Sequence, residues 1–114
     1  MLMGRMYLEL DDGDRKQCYE ADIPRCIDRE QEIAFEFSGD DPDSGPFQGK
    51  AKLDKTASEV VGDGQFRWAD GTVVDATLRG TVEYFDGKVI IEGRWLDESS
   101  DDEYELFIEL EAAD

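Results

Sequence analysis

The chain has 114 residues, of which 30 are acidic, 12 are basic and none is histidine, for a formal net charge of −18. That length supports one domain with its own core, and 39% hydrophobic residues with 11% aromatics exceed what a disordered chain carries. The missing histidine excludes Ser-His-Asp and Cys-His nucleophile systems and every imidazole metal site, while the charge repels nucleic acid and anionic lipid.

Alternation of apolar and polar residues, the mark of a half-buried strand, recurs along nearly the whole chain. Met6, Leu8 and Leu10 form the first inward set, and Asp11-Asp12-Gly13-Asp14 supplies a turn. Tyr19, Ala21 and Ile23 follow, with a break expected at Pro24-Arg25, and then Ile33, Phe35 and Phe37. The stretch from Ser38 to Gly45, rich in Asp, Gly and Pro, reads as the longest loop. Beyond it come Phe47, Gly49, Ala51 and Leu53, then Val60, Gly62, Gly64, Phe66 and Trp68, then Val74, Ala76, Leu78, Gly80, Val82 and Tyr84. Val89, Ile91, Gly93 and Trp95 make the next set, and Tyr104, Leu106, Ile108 and Leu110 the last. This final segment has an alternative as a helix capped by Ser99 or Ser100, but its alternation fits period two better than 3.6.

The expectation is therefore an all-β domain over residues 1–114. It is an antiparallel meander of about eight strands closed as an up-and-down barrel, with a two-sheet sandwich as the alternative. In shape such a barrel resembles the calycin type of ligand-binding barrel, although the early Gly-x-Trp motif typical of lipocalins is absent.

Asp86-Gly87 accepts the positive φ angles of a two-residue hairpin turn. The register then places Tyr84 opposite Val89, Val82 opposite Ile91, Gly80 opposite Gly93 and Leu78 opposite Trp95. A longer loop at Asp70-Gly71 is expected to pair Phe66 with Ala76 and Gly62 with Gly80. On this reading Ala51, Gly62, Gly80 and Gly93 form a row of small residues across the inner face, which marks either curvature or a close approach. The functional reading makes the row the floor of a pocket for a small apolar ligand. Gly62, Gly80 and Gly93 lie beneath Phe66, Trp68, Tyr84 and Trp95, with the Tyr84 and Tyr104 hydroxyls as polar anchors.

On the outer face the same register sets Lys50 beside Asp63, Asp63 beside Arg79, and Arg79 opposite Arg94, a pair of like charges that needs an acid such as Asp63 or Glu105 nearby. Tyr7, Phe85, Ile90, Leu96 and Phe107 break the polar pattern of that face. If first and last strands pair, these residues share one side and suggest a homodimer interface; scattered exposed apolars are the ordinary alternative.

No catalytic constellation is evident. Paired carboxylates suffice for glycoside hydrolysis, but among 30 acids close pairs arise by accident and the inward positions are apolar. Asp40-Asp41-Pro42-Asp43-Ser44-Gly45 lacks the spacing and closing glutamate of an EF-hand, and Gly62-Asp63-Gly64 lacks the lysine and helix of a phosphate loop, so no metal or cofactor is expected. Cys18 and Cys26 flank the expected turn at Pro24 and read as free thiols of a cytoplasmic protein, because neither an export signal nor an apolar run of about 18 residues is present.

Two functions follow. One is a non-catalytic barrel that holds a small apolar ligand. The other is an acidic interaction protein, of the immunity type, that binds a basic protein partner. Residues 1–57 carry 14 acids against 8 bases and residues 58–114 carry 16 against 4; such a field steers a basic partner but also serves plain solubility.

Overall fold

The computed structural model describes residues 1–113, and in it alternation becomes eight strands: β1 Leu2–Asp11, β2 Lys16–Asp28, β3 Glu32–Asp41, β4 Gly45–Thr56, β5 Glu59–Trp68, β6 Val73–Phe85, β7 Lys88–Asp97 and β8 Glu103–Ala112. Each pairs antiparallel with its sequence neighbours, and β1 pairs with β8 from Leu2 opposite Ala112 to Glu9 opposite Glu105, which closes the barrel. The sandwich alternative is thereby excluded, and so is a terminal helix. Closure leaves no unpaired sheet edge to be covered.

Inward positions are mostly apolar and outward positions mostly polar or charged, with exceptions on both faces such as the inward Lys55 and Asp97 and the outward Tyr7 and Phe85. Among the described residues no helix is long and apolar enough to cross a membrane. At one end of the interior Phe37, Phe47, Phe66 and Trp95 pack ring against ring, with centroids 5.0 Å apart for Phe37–Phe66, 4.9 Å for Phe47–Phe66 and 5.2 Å for Phe66–Trp95. Toward the other end Ile33, Leu53, Val60, Ile91, Ile108 and Leu110 continue the fill, each at most 1% exposed. The middle of the barrel is thus packed side chain, as protein interiors generally are.

The hairpin at Asp86-Gly87 has the expected register, from Phe85 opposite Lys88 through Gly80 opposite Gly93 to Leu78 opposite Trp95, with φ of 54° and 78° at the two turn residues. The hairpin before it does not. Gly71, at φ 95°, closes a three-residue loop of Ala69, Asp70 and Gly71, in which the Trp68 amide donates to the Thr72 carbonyl at 2.9 Å. Phe66 therefore faces Val74 and Gly62 faces Leu78, two residues away from the expected pairing. Ala51 likewise faces Gly64, because β4 and β5 meet in a two-residue turn at Ala57 and Ser58.

The expected row of four small residues is accordingly split. Gly80 and Gly93 do face each other, but Gly62 lies between Leu53 and Leu78, and Gly64 lies between Ala51 and Ala76. Curvature is what these positions serve. A Cβ on Gly80 would run into the Glu92 carbonyl and meet the Gly93 Cα at 2.9 Å, so the two strands approach more closely than side chains permit. The indole of Trp95 rests on Gly64, where a Cβ would stand 2.7 Å from the ring.

Two further expectations change. Pro24 makes no turn: β2 runs through it with a bulge against β3 between Asp22 and Arg25, where a missing backbone N–H does little harm. Cys18 and Cys26 therefore sit eight residues apart on one extended strand, roughly 26 Å at strand rise, and are free, Cys18 exposed and Cys26 buried. The loop expected over Ser38 to Gly45 shrinks to Pro42, Asp43 and Ser44, closed by the Ser44 amide donating to Asp41 Oδ2 at 2.9 Å.

Candidate functional site

Because alternate strands run in opposite directions, the turns at residues 11–16, 41–45, 68–73 and 97–103 gather at one end of the barrel, here called the mouth. The inward residues near those turns gather with them. Tyr19 of β2, Trp68 of β5 and Tyr104 of β8 are such residues, and Tyr19 touches both of the others at 5.9 Å between centroids and Phe66 at 6.0 Å. Phe66 and Trp68 stack with planes 20° apart. Leu8, Val74, Trp95 and Asp97 complete the lining of a pocket of about 120 Å³.

The polar atoms here are few and oriented. Tyr104 donates its hydroxyl to Gln17 Oε1 at 3.1 Å. Burial is the main cause that raises the pKa of both phenols, and the carboxylates around them, Asp41 and Asp97 for Tyr19 and Asp102 and Asp97 for Tyr104, push the same way. Both hydroxyls thus remain neutral well above physiological pH. Asp97 Oδ1 accepts from the Ser99 amide at 2.8 Å and the Ser99 hydroxyl at 2.7 Å, which shapes the β7–β8 turn. Across the rim the Arg15 guanidinium donates to Asp102 Oδ1 at 2.6 Å and so ties the first turn to the last.

The mouth is also where the charge collects. Its four turns hold eleven carboxylates and two cations, Arg15 and Lys16, whereas the turns 28–32, 56–59 and 85–88 at the other end hold five carboxylates and two cations.

Of the residues expected to frame a ligand, Phe66, Trp68, Trp95 and Tyr104 are brought together at this mouth. Tyr84 is not: it points inward by register, but it lies near the opposite end of its strand and is 58% exposed. Its hydroxyl accepts from Lys55 Nζ at 3.0 Å and donates to Asp28 Oδ1 at 3.3 Å. Lys55 in turn reaches Asp28 at 2.6 Å with only 10% of its side chain exposed, so Lys55, Asp28 and Tyr84 form a polar plug in the far end. Gly62, Gly80 and Gly93 bend the wall and do not line the mouth pocket. Tyr19 and Asp97 were not expected in the site; Asp97 is the inward residue nearest its mouth turn and could have been found by that position, whereas on β2 the inward Gln17 lies nearer the turn than Tyr19.

The outer charge ladder is shifted with the register. Lys50 faces Gln65, Asp63 faces Lys52 and Thr77, and Arg79 faces Val61 on one side and Arg94 on the other. Glu105 relieves the like pair by meeting Arg94 at 3.4 Å. A shallow hollow of about 570 Å³ opens on this face between Arg25, Lys50, Lys52, Glu36, Asp63 and Asp75, whose charges cancel. Of the five outward apolar residues, Tyr7 and Phe107 stand directly opposite each other with rings 6.1 Å apart. Ile90 faces Glu109, Leu96 faces Glu103 and Phe85 faces Lys88, so charged residues interrupt the patch.

No protein-family model and no curated protein matches the chain. Among solved structures it is similar to a redesigned β-barrel, at a TM-score of 0.56 and 18% identity over 97% of this chain and 90% of that one. At that identity the likeness is one of fold, and it agrees with a closed up-and-down barrel.

Proposed function

We propose that the protein is a non-catalytic binding protein whose ligand presents a small apolar group to the mouth of the barrel. One observation carries this reading: Tyr19, Phe66, Trp68, Trp95 and Tyr104 converge on a small pocket at the mouth, where Tyr19 and Trp68 stay half-exposed. Large aromatic faces with a few fixed polar atoms are the usual lining of a small-molecule site. The volume, about 120 Å³, is close to the roughly 150 Å³ apolar cavity that holds benzene, so the site takes one ring or one branched group. The rest of the ligand stays outside. The absence of histidine from the chain and the mostly apolar character of the inward positions support a role without catalysis.

Trp68 and Trp95 report on this pocket directly. Titration with small aromatic and branched aliphatic compounds is expected to quench or shift their fluorescence, and a Trp68→Leu variant is expected to lose most of the response. An unchanged spectrum across such a panel, with the fold intact by circular dichroism, refutes the reading.

The excess of carboxylates on the mouth turns favours a second reading, in which this end binds a basic protein. Its mark is an affinity that falls steeply with salt, since rim charges act mainly through long-range attraction. A mouth partner whose affinity is indifferent to salt is incompatible with it.

A further inference from the structure

We propose that the group taken up at the mouth is a small organic cation, a substituted ammonium, held by aromatic faces within a ring of carboxylates. The inference rests on the mouth being a binding site and goes further by assigning the charge of its ligand. Three observations converge on it.

The first is the wall. Tyr19 and Trp68, both half-buried, offer ring surface to the pocket, with the more deeply buried Phe66, Trp95 and Tyr104 behind them, and a ring face carries negative potential that attracts an ammonium more than a neutral group of the same shape. The phenols among them stay neutral, so they add ring faces and a hydroxyl dipole and not a fixed anion.

The second is the rim. Among the described residues Asp97 is the one charged residue in the lining, and around it the mouth turns carry ten further carboxylates against two cations. Lines of field from such a ring focus on its opening and raise the local concentration of cations. A carboxylate ligand would meet the same field with the opposite sign.

The third is the disposition of the nearby cation. Arg15 could neutralise the site from the rim, but its guanidinium is engaged by Asp102 at 2.6 Å and lies 4.0 Å from Asp12. It stands outside the residues that line the pocket. Among the described residues the lining thus holds aromatic rings, Asp97 and no cation.

Volume narrows the class. About 120 Å³ admits a trimethylammonium group or a comparable alkylammonium head, while a tail or hydroxyl remains in solvent. A hydrated metal ion is a poor fit, because aromatic rings cannot replace its oxygen ligands.

The test compares two probes of one shape and different charge, choline and its uncharged carbon analogue 3,3-dimethylbutan-1-ol. Binding is followed by Trp fluorescence and by the upfield ring-current shift of the probe methyl protons. Choline is expected to bind at least tenfold more tightly than the alcohol. Asp97→Asn, which keeps an oxygen to accept from Ser99, is expected to weaken choline several-fold and leave the alcohol unchanged. Equal affinities for the two probes overturn the assignment of charge while leaving an apolar mouth site in place. No response to either probe overturns the mouth site as well.

Discussion

Replacing Gly80 with alanine tests how the barrel wall bends. The new methyl would collide with the Glu92 carbonyl and stand 2.9 Å from the Gly93 Cα, and both obstacles are backbone, which cannot rotate away as a side chain can. Overpacking costs about 1–3 kcal/mol, and a backbone obstacle places this site near the upper end. The alanine recovers about 0.4–1 kcal/mol by restricting the unfolded chain, which leaves a net loss of about 2 kcal/mol. For 114 residues the unfolding entropy is about 0.24 kcal/mol/K at roughly 2.1 cal/mol/K per residue, so the melting temperature is expected to fall by about 8 °C. Thr81→Val, one residue away on the exposed outer face, is the control and is expected to change stability by less than about 0.5 kcal/mol. Thermal and urea denaturation followed by circular dichroism measure both. Melting temperatures within about 2 °C of each other refute the assignment of Gly80 to a close strand approach.

The polar plug gives a second expectation. Lys55→Met is expected to cost about 1–2 kcal/mol in urea denaturation, less than a fully buried pair, because the Asp28 side chain keeps 18% of its exposure. Burial acts to lower the Lys55 pKa, but the hydrogen bonds to Asp28 and Tyr84 outweigh it and the net shift is upward. Alkaline stability is the third. Burial, aided by Asp28, pushes the Cys26 thiol up from 9.0 to about 12, so the protonated form belongs to the folded state. Its contribution is complete below pH 9 and is lost as the pH rises toward 12, at about 1.4 kcal/mol per unit. Tyr19 and Tyr104 add to the loss above pH 10. The urea midpoint of Cys26→Val is expected to begin its decline about one unit later, and an unaltered profile refutes the thiol's part in it. The fourth concerns assembly. A two-fold contact centred on Tyr7 and Phe107 is expected to tighten with salt, which screens the −18 charge of each subunit. Sedimentation of Phe107→Glu as a monomer beside a dimeric wild type supports that contact, and monomers of both at every salt concentration remove it.

The number of strands, their inner and outer faces and the strand nature of β8 were legible in the sequence, because alternation is a local property with a period of two. The Asp86-Gly87 hairpin was legible for a related reason, since a two-residue turn of that composition leaves one register open. Closure into a barrel followed from the strand pattern as one of two architectures, and the β1–β8 pairing decided between them.

Register elsewhere belonged to the tertiary structure. A slip of two residues preserves every inward and outward assignment, so alternation cannot distinguish Phe66 opposite Ala76 from Phe66 opposite Val74. Only the conformation of Gly71 in its three-residue loop does. The same blindness applies along the barrel axis. Tyr84 and Tyr104 are both inward by period, yet one plugs the far end with Lys55 and Asp28 while the other lines the mouth with Trp68 and Tyr19. Height in a barrel depends on strand tilt and on the stagger accumulated around its circumference, and neither quantity is contained in any single strand.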